Sequence, residues 1–306
     1  MENKYEGGID FIVNIYDKRF YLKVLVDSIH KYVKDIDYKI NIVNCWHGDE
    51  APGVAELDEM FSADKKVNII QGFDQSKTTI VQSDGSVSQD PKYSVRGDID
   101  GNSMAPGSLY TMPGIRKAMD ATDKKYICVL DADVIFLNEW VDKIIPLTED
   151  YFFISNRWDP GTLFKKCKNP IAEKGIGKFM FFLMKRANIV DNDIYPNRHY
   201  RDVGGNITLY AQDNDLPFKI LKNTYWNNTR RGYYGIDYFL IQKWHVGGAN
   251  SQEHINTEHH LIDLVYGEQM YVDGTPFAFH QNRFIRNTTP KNDDWMIKAT
   301  KYLEEN

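Results

Sequence analysis

Cysteine is scarce in this chain. Cys45, Cys128 and Cys167 are the three in 306 residues. Their odd number and wide separation argue against a disulfide framework, and no pair has the spacing of a zinc-binding or redox motif. Reduced thiols in a cytoplasmic compartment are the expectation. Excess basic charge is also missing: 37 Lys and Arg face 43 Asp and Glu, a net charge of −6. That excludes the broadly basic surface of a general nucleic-acid binder, but leaves room for one local phosphate pocket. Long apolar runs are absent as well. No stretch approaches the ~18 uncharged residues of a membrane span, and the start MENKYEGGID lacks the apolar centre of a signal peptide. Asn206, Asn227 and Asn287 open glycosylation-type triplets, read as chance matches without such a signal.

What is present is an ordinary globular composition. Hydrophobic residues make up 42%, enough for a sizeable core in one large α/β domain or two smaller ones. Aromatics reach 13%, chiefly for core packing, with some left for sugar or base faces. The pattern alternates strand and helix. Ile9 to Lys18 reads as a buried strand, followed by a helix with an apolar stripe at Leu22, Leu25, Val26 and Ile29. Lys39–Trp46 is a second strand, Val54–Ala63 a short helix and Val67–Phe73 a third strand. Residues 74–106 are rich in Ser, Asp, Gln and Gly and read as an excursion over the sheet. A helical stripe at Leu109, Met112, Ile115 and Met119, kinked by Pro113, precedes a fourth strand at Tyr126. Asn138–Leu147 is the next helix and Tyr151–Trp158 a strand.

Farther on, strands are expected at 178–186, 238–248 and 275–280. Gly204–Leu221 reads as helix, turn and strand, followed by helices over 253–266 and from about Asp293. Repeating strand-helix units predict a mostly parallel sheet. No repeat, low-complexity run or linker appears, so 1–306 is read as a single domain. Its parts are a first half to about 137, a second half to about 250, and a C-terminal extension.

The stretch YICVLDADVIFLNEW places Asp131 and Asp133 between two apolar runs. In an open parallel sheet, ligands gather beyond the carboxyl ends of the strands. If the strand continues through both acids, residues i and i+2 share a face. Two carboxylates suit a hard cation such as Mn2+ or Mg2+, completed by substrate phosphates. That chemistry serves the departure of a charged phosphate. The plain alternative is that both acids merely cap a strand end.

The segment Met112-Pro113-Gly114-Ile115-Arg116-Lys117-Ala118, followed by Lys125-Tyr126-Ile127-Cys128-Val129-Leu130-Asp131-Ala132-Asp133, resembles the centre of GT-A glycosyltransferases, family-2-like in detail. Met112-Pro113 departs from the usual Arg-Asn of that motif. Asn44-Cys45-Trp46-His47-Gly48-Asp49 departs from the usual acidic turn after the second strand. The resemblance implies a GT-A fold, α/β and Rossmann-like, with a mostly parallel central sheet flanked by helices and extra C-terminal elements. It implies a nucleotide-diphosphate-sugar donor contacted by Asn14, Tyr16, Asp17, Gly114, Arg116, Asp131, Ala132 and Asp133. It implies a Mn2+ or Mg2+ ion on Asp131 and Asp133.

Two histidines compete for a third ligand position, His245 in Trp244–Gly248 first and His280 second. Arg283 and Arg286 are candidates to clamp a diphosphate. By the same resemblance Asp202, before Ile207–Ala211, is the candidate general base, a role that a helix N-cap would also explain. Arg157, Trp158 and Asp159 at a strand end are candidates for the acceptor, a glycan, lipid-linked or protein hydroxyl. A hexosyl transfer with inversion is the expected reaction. Two rivals stand beside it: a haloacid dehalogenase-like phosphatase with Asp131 as nucleophile, and a sugar-nucleotide-binding module without catalysis.

Overall fold

The computed structural model describes residues 4–15, 21–44, 54–72, 114–158, 176–190, 192–194, 205–227, 266–280 and 294–306. The strands are β1 (Tyr5–Ile15), β2 (Ile36–Asn44), β3 (Val67–Gln71), β4 (Tyr126–Asp131), β5 (Val134–Phe136), β6 (Phe153–Trp158), β7 (Ile176–Lys185), β8 (Lys219–Asn227), β9 (Tyr266–Val272) and β10 (Thr275–His280). The helices are α1 (Leu22–Tyr32), α2 (Val54–Phe61), α3 (114–120), α4 (Val141–Ile144), α5 (Arg186–Val190), α6 (Gly205–Asp213) and α7 (Asp294–Glu305). Among the described residues no helix is long and apolar enough to cross a membrane.

The strand order is β3-β2-β1-β4-β7-β6-β8-β9-β10-β5. β1 runs parallel to β2 and β4, β2 to β3, and β6 to β8. β7 is antiparallel to both β4 and β6. The span from β3 to β8 is therefore the mostly parallel, Rossmann-like α/β sheet that the pattern predicts, with β7 as its reversed member. Beyond β8 the pairing turns antiparallel through β9, β10 and β5.

Both faces of the sheet are covered, which is why β1 and β4 read as continuous apolar runs. On one face, Leu25 and Ile29 of α1 pack on Phe11, Cys128 and Leu130. On the other, Ile115 and Met119 of α3, Ile189 of α5 and Ile207 and Ala211 of α6 cover Ile12, Val129 and Phe182. Trp140 locks the first face. It stacks on Phe136 at 5.3 Å and meets Phe181 edge-on at 5.4 Å. Such pairs add to the burial of their area. At the amino edge, buried Asp10 accepts the backbone N–H groups of Asp123 (2.9 Å) and Lys124 (2.8 Å) and the Asn41 amide (3.2 Å). A carboxylate satisfied in this way fixes where β4 enters the sheet.

Some expectations need correction. β4 ends at Asp131, and Ala132 and Asp133 form a turn. The two acids therefore do not converge by strand alternation. The expected helix at 138–147 begins only at Val141 and passes into a 3-10 turn at Ile145–Glu149, because Pro146 has no N–H to continue the α-helical ladder. Tyr266, placed at the end of a helix by its sequence, opens β9. The excursion at 74–106, the strand at 238–248 and the helix up to residue 265 lie outside the described residues. Cys128 is a buried free thiol, and burial pushes its pKa up, as befits an inert core residue.

Candidate metal site

β4 carries Asp131 to its carboxyl end, where Asn14 of β1 is the register partner. The turn at Ala132-Asp133 then feeds β5 into a different ladder. β5 pairs with β10, Val134 opposite His280 and Ile135 opposite Phe279. β10 follows a hairpin, and its register against β9 shifts by one residue between Pro276 and Ala278. Val272 pairs directly with Thr275, and the two loop residues Asp273 (φ 47°) and Gly274 (φ 73°) are both left-handed. This is the type I′ geometry that Asp-Gly favours.

The result is a three-residue cluster. His280 Nε2 lies 3.4 Å from Asp133 Oδ1 and 3.7 Å from Asp131 Oδ2. One ligand atom from each residue falls within 4.8 Å of the others. Asp133 is 2% exposed and His280 5%, while the Asp131 side chain is 34% exposed. The cluster is thus buried at its base and open on the Asp131 side. His280 Nδ1 is buried with no hydrogen-bond partner among the described residues.

The donor set fits a divalent cation. Ligands in cis positions around an ion with bonds of about 2.1 Å lie about 3 Å apart, close to the separations seen here.

The other candidates are distributed as follows. The Asn14 Oδ1 is buried and has no partner among the described residues, which leaves an acceptor beside Asp131. Gly114 is buried at the start of α3, and Ala132 is buried between the acids. Arg116 Nη2 stands 3.7 Å from Asp193 Oδ1. Arg157 and Trp158 end β6 opposite Gly177 and Ile176. Their neighbour Asn156 is fully buried, and its Oδ1 accepts the Phe181 N–H at 3.3 Å. That bond fills the register shift between β6 and β7 rather than facing a sugar. Tyr16, Asp17, Asp159, Asp202, His245, Arg283 and Arg286 lie outside the described residues. Of the two competing histidines, His280 is the one seen at the acids.

No protein-family model matches the chain, and no curated protein sequence matches it. Solved structures do superpose on part of it. A mannosyltransferase, PcManGT from Pyrobaculum calidifontis in complex with GDP-Man and Mn2+, aligns at 11% identity over 72% of this chain and 56% of its own, with a TM-score of 0.45. TarS of S. aureus, residues 1–349, aligns at 13% identity over 70% and 58%, with a TM-score of 0.40. The bifunctional glycosyltransferase WbbM aligns at 9% identity over 63% and 34%, with a TM-score of 0.38. The chain spans little more than half the length of the first two and about a third of the last.

Proposed function

We propose that this chain is a metal-dependent GT-A glycosyltransferase that moves a hexose from a nucleotide-diphosphate donor to an acceptor hydroxyl. The observation that carries the reading is the Asp131–Asp133–His280 cluster at the carboxyl end of β4, where open α/β sheets bind their ligands. Asp131, Asp133 and His280 would hold Mn2+, or Mg2+ less tightly. Bound there, the cation supplies positive charge that offsets negative charge developing on the leaving diphosphate.

The chain's own residues would do the rest. Asn14 Oδ1, an acceptor without a donor among the described residues, would take a hydrogen bond from a ribose hydroxyl or a base N–H. Buried Asp133 and His280 would keep water from one side of the cluster, while Asp131 is partly exposed. Asp202, three positions before α6 begins at Gly205, would accept the acceptor proton as its oxygen attacks. Direct displacement with this base inverts the anomeric centre. Arg157, Trp158 and Asp159 would line the acceptor side.

The test is a binding and turnover panel of UDP-, GDP-, CMP- and dTDP-sugars with and without Mn2+. Donor binding that requires both the metal and Asp133, with a product of inverted configuration by NMR, is the expected outcome. A product of retained configuration would remove Asp202 from its role. Hydrolysis of an aryl phosphate that depends on Asp131, with no sugar nucleotide bound, would replace the whole reading by the phosphatase.

A further inference from the structure

α7 packs on the metal-binding strands from behind. Its Ala299 is fully buried in a small apolar cluster with Ile135 of β5, Phe279 of β10, Leu137, Val24 of α1 and Tyr21 just before it. Ile135 and Phe279 are cross-strand partners. Ile135 follows Asp133 by two positions, and Phe279 immediately precedes His280. Polar contacts reinforce the seat. The Tyr302 hydroxyl donates to the Leu137 carbonyl at 2.9 Å, and Lys31 donates to the Leu303 carbonyl in the last turn of α7. On the edge of β5 away from β10, the Phe136 N–H donates to the buried Ser28 hydroxyl of α1 at 3.0 Å.

β5 is only three residues long, Val134–Phe136, too short to hold its register by ladder hydrogen bonds alone. Two of the three candidate ligands depend on that pairing. Asp133 enters β5 and His280 ends β10. α7 covers the Ile135–Phe279 pair in the same apolar cluster, directly behind that pairing.

We propose that α7 is a positioning element for the Asp133–His280 pair, with Ala299 and Tyr302 as its contact residues. The inference rests on the metal-site reading above. Neither residue touches the cluster. They would act on metal affinity through Ile135, Phe279 and Leu137, as outer residues around metal sites do, with losses of about 10- to 100-fold when altered.

The test uses the full chain with Ala299→Leu, which overfills a fully buried position, and Tyr302→Phe, which removes one hydrogen bond and is mild enough to fold if the first is not. Ile189→Ala, in the cluster on the opposite face of the sheet, is the control for stability loss without α7. Amide hydrogen exchange is measured without metal, and Mn2+ affinity by calorimetry. Local opening is read directly by exchange. Both α7 variants are expected to speed exchange in β5 and β10 about tenfold while leaving β1 and β4 as in wild type. Their Mn2+ dissociation constant is expected to rise about tenfold. Ile189→Ala is expected to change neither. Wild-type exchange in β5 and β10 in both α7 variants would overturn the proposal, whatever their melting temperatures. If the wild type takes up no Mn2+, the metal reading fails and with it the purpose proposed for α7, while the exchange arm still decides whether α7 holds the two strands.

Discussion

Asp133→Asn separates a metal ligand from a structural carboxylate. The substitution keeps the shape of a side chain that is 2% exposed and removes one of two acidic donors. Unfolding a chain of 306 residues carries an entropy of about 0.64 kcal/mol/K, at about 2.1 cal/mol/K per residue. Mn2+ at 100 times its dissociation constant stabilises the folded state by about 2.7 kcal/mol, which corresponds to about 4 °C in Tm. If losing the carboxylate weakens binding about 100-fold, the same Mn2+ concentration equals the new dissociation constant. The stabilisation then falls to about 0.4 kcal/mol, below 1 °C.

In chelator the sign is different. The substitution removes a buried charge near Asp131 and keeps the shape of the side chain. The metal-free variant is expected to melt within about 1 °C of wild type if the carboxylate serves chiefly as a metal ligand, since the amide oxygen of Asn can still accept a hydrogen bond. Differential scanning fluorimetry of both proteins in chelator and in Mn2+ reads all four numbers. A full Mn2+ shift in Asp133→Asn would show that this carboxylate is not a ligand. Collapse of the variant in chelator would show that Asp133 is chiefly structural.

Asn14→Ala should weaken nucleotide-sugar affinity about tenfold, the loss of about one hydrogen bond, while Mn2+ affinity stays at wild type; calorimetry with each ligand separates the two. Asp10→Ala strands two backbone donors and an amide and should cost roughly 3 kcal/mol in urea unfolding. Gly274→Ala meets no atom within 4 Å and bears only its left-handed φ, whereas Gly8→Ala combines φ +71° with a Cβ 2.8 Å from the Asp37 carbonyl oxygen. Thermal melts should show a loss of about 1 kcal/mol for the first and a larger one for the second. The hydrogen bond from Lys124 holds the Asp37 pKa below its usual value and raises that of Lys124. Its contribution is present above the unfolded carboxylate pKa of about 3.9 and is lost as pH falls through the lower folded value. On the alkaline side it is present below about pH 10.4 and is lost as pH rises through the raised folded value of Lys124. Because the Asp37 side chain is half exposed, Lys124→Met should flatten both limbs by only a few tenths of a kcal/mol.

Much of the fold was open to reading because its signals are local. β4 and β10 occupy the segments that their apolar runs mark between turn-forming neighbours, and α1 carries its buried residues on one stripe. β9 was missed for an equally physical reason. YGEQMYV places Glu268 and Gln269 in mid-strand, and Gln269 is fully buried with its amide bonded to the Tyr271 hydroxyl at 2.6 Å. A polar side chain satisfied inside the core erases the alternation by which a strand is recognised.

The site divides along the same line. Asp131 and Asp133 stand together in the sequence, so their pairing was visible, although a turn and not strand alternation brings them together. His280 is far along the chain, and no spacing rule connects it to the acids. What connects them is register. Asp273-Gly274 closes a two-residue hairpin, a one-residue shift between Pro276 and Ala278 resets the alignment of β10 with β9, and the pairing of β10 with β5 sets His280 opposite Val134. A slip of one residue in that pairing would put Phe279 opposite Val134 and turn the imidazole to the other face. The third member of the cluster is therefore specified by turn chemistry, by the shift after Pro276 and by the packing behind Ile135 and Phe279, all remote from the atoms that would meet a metal.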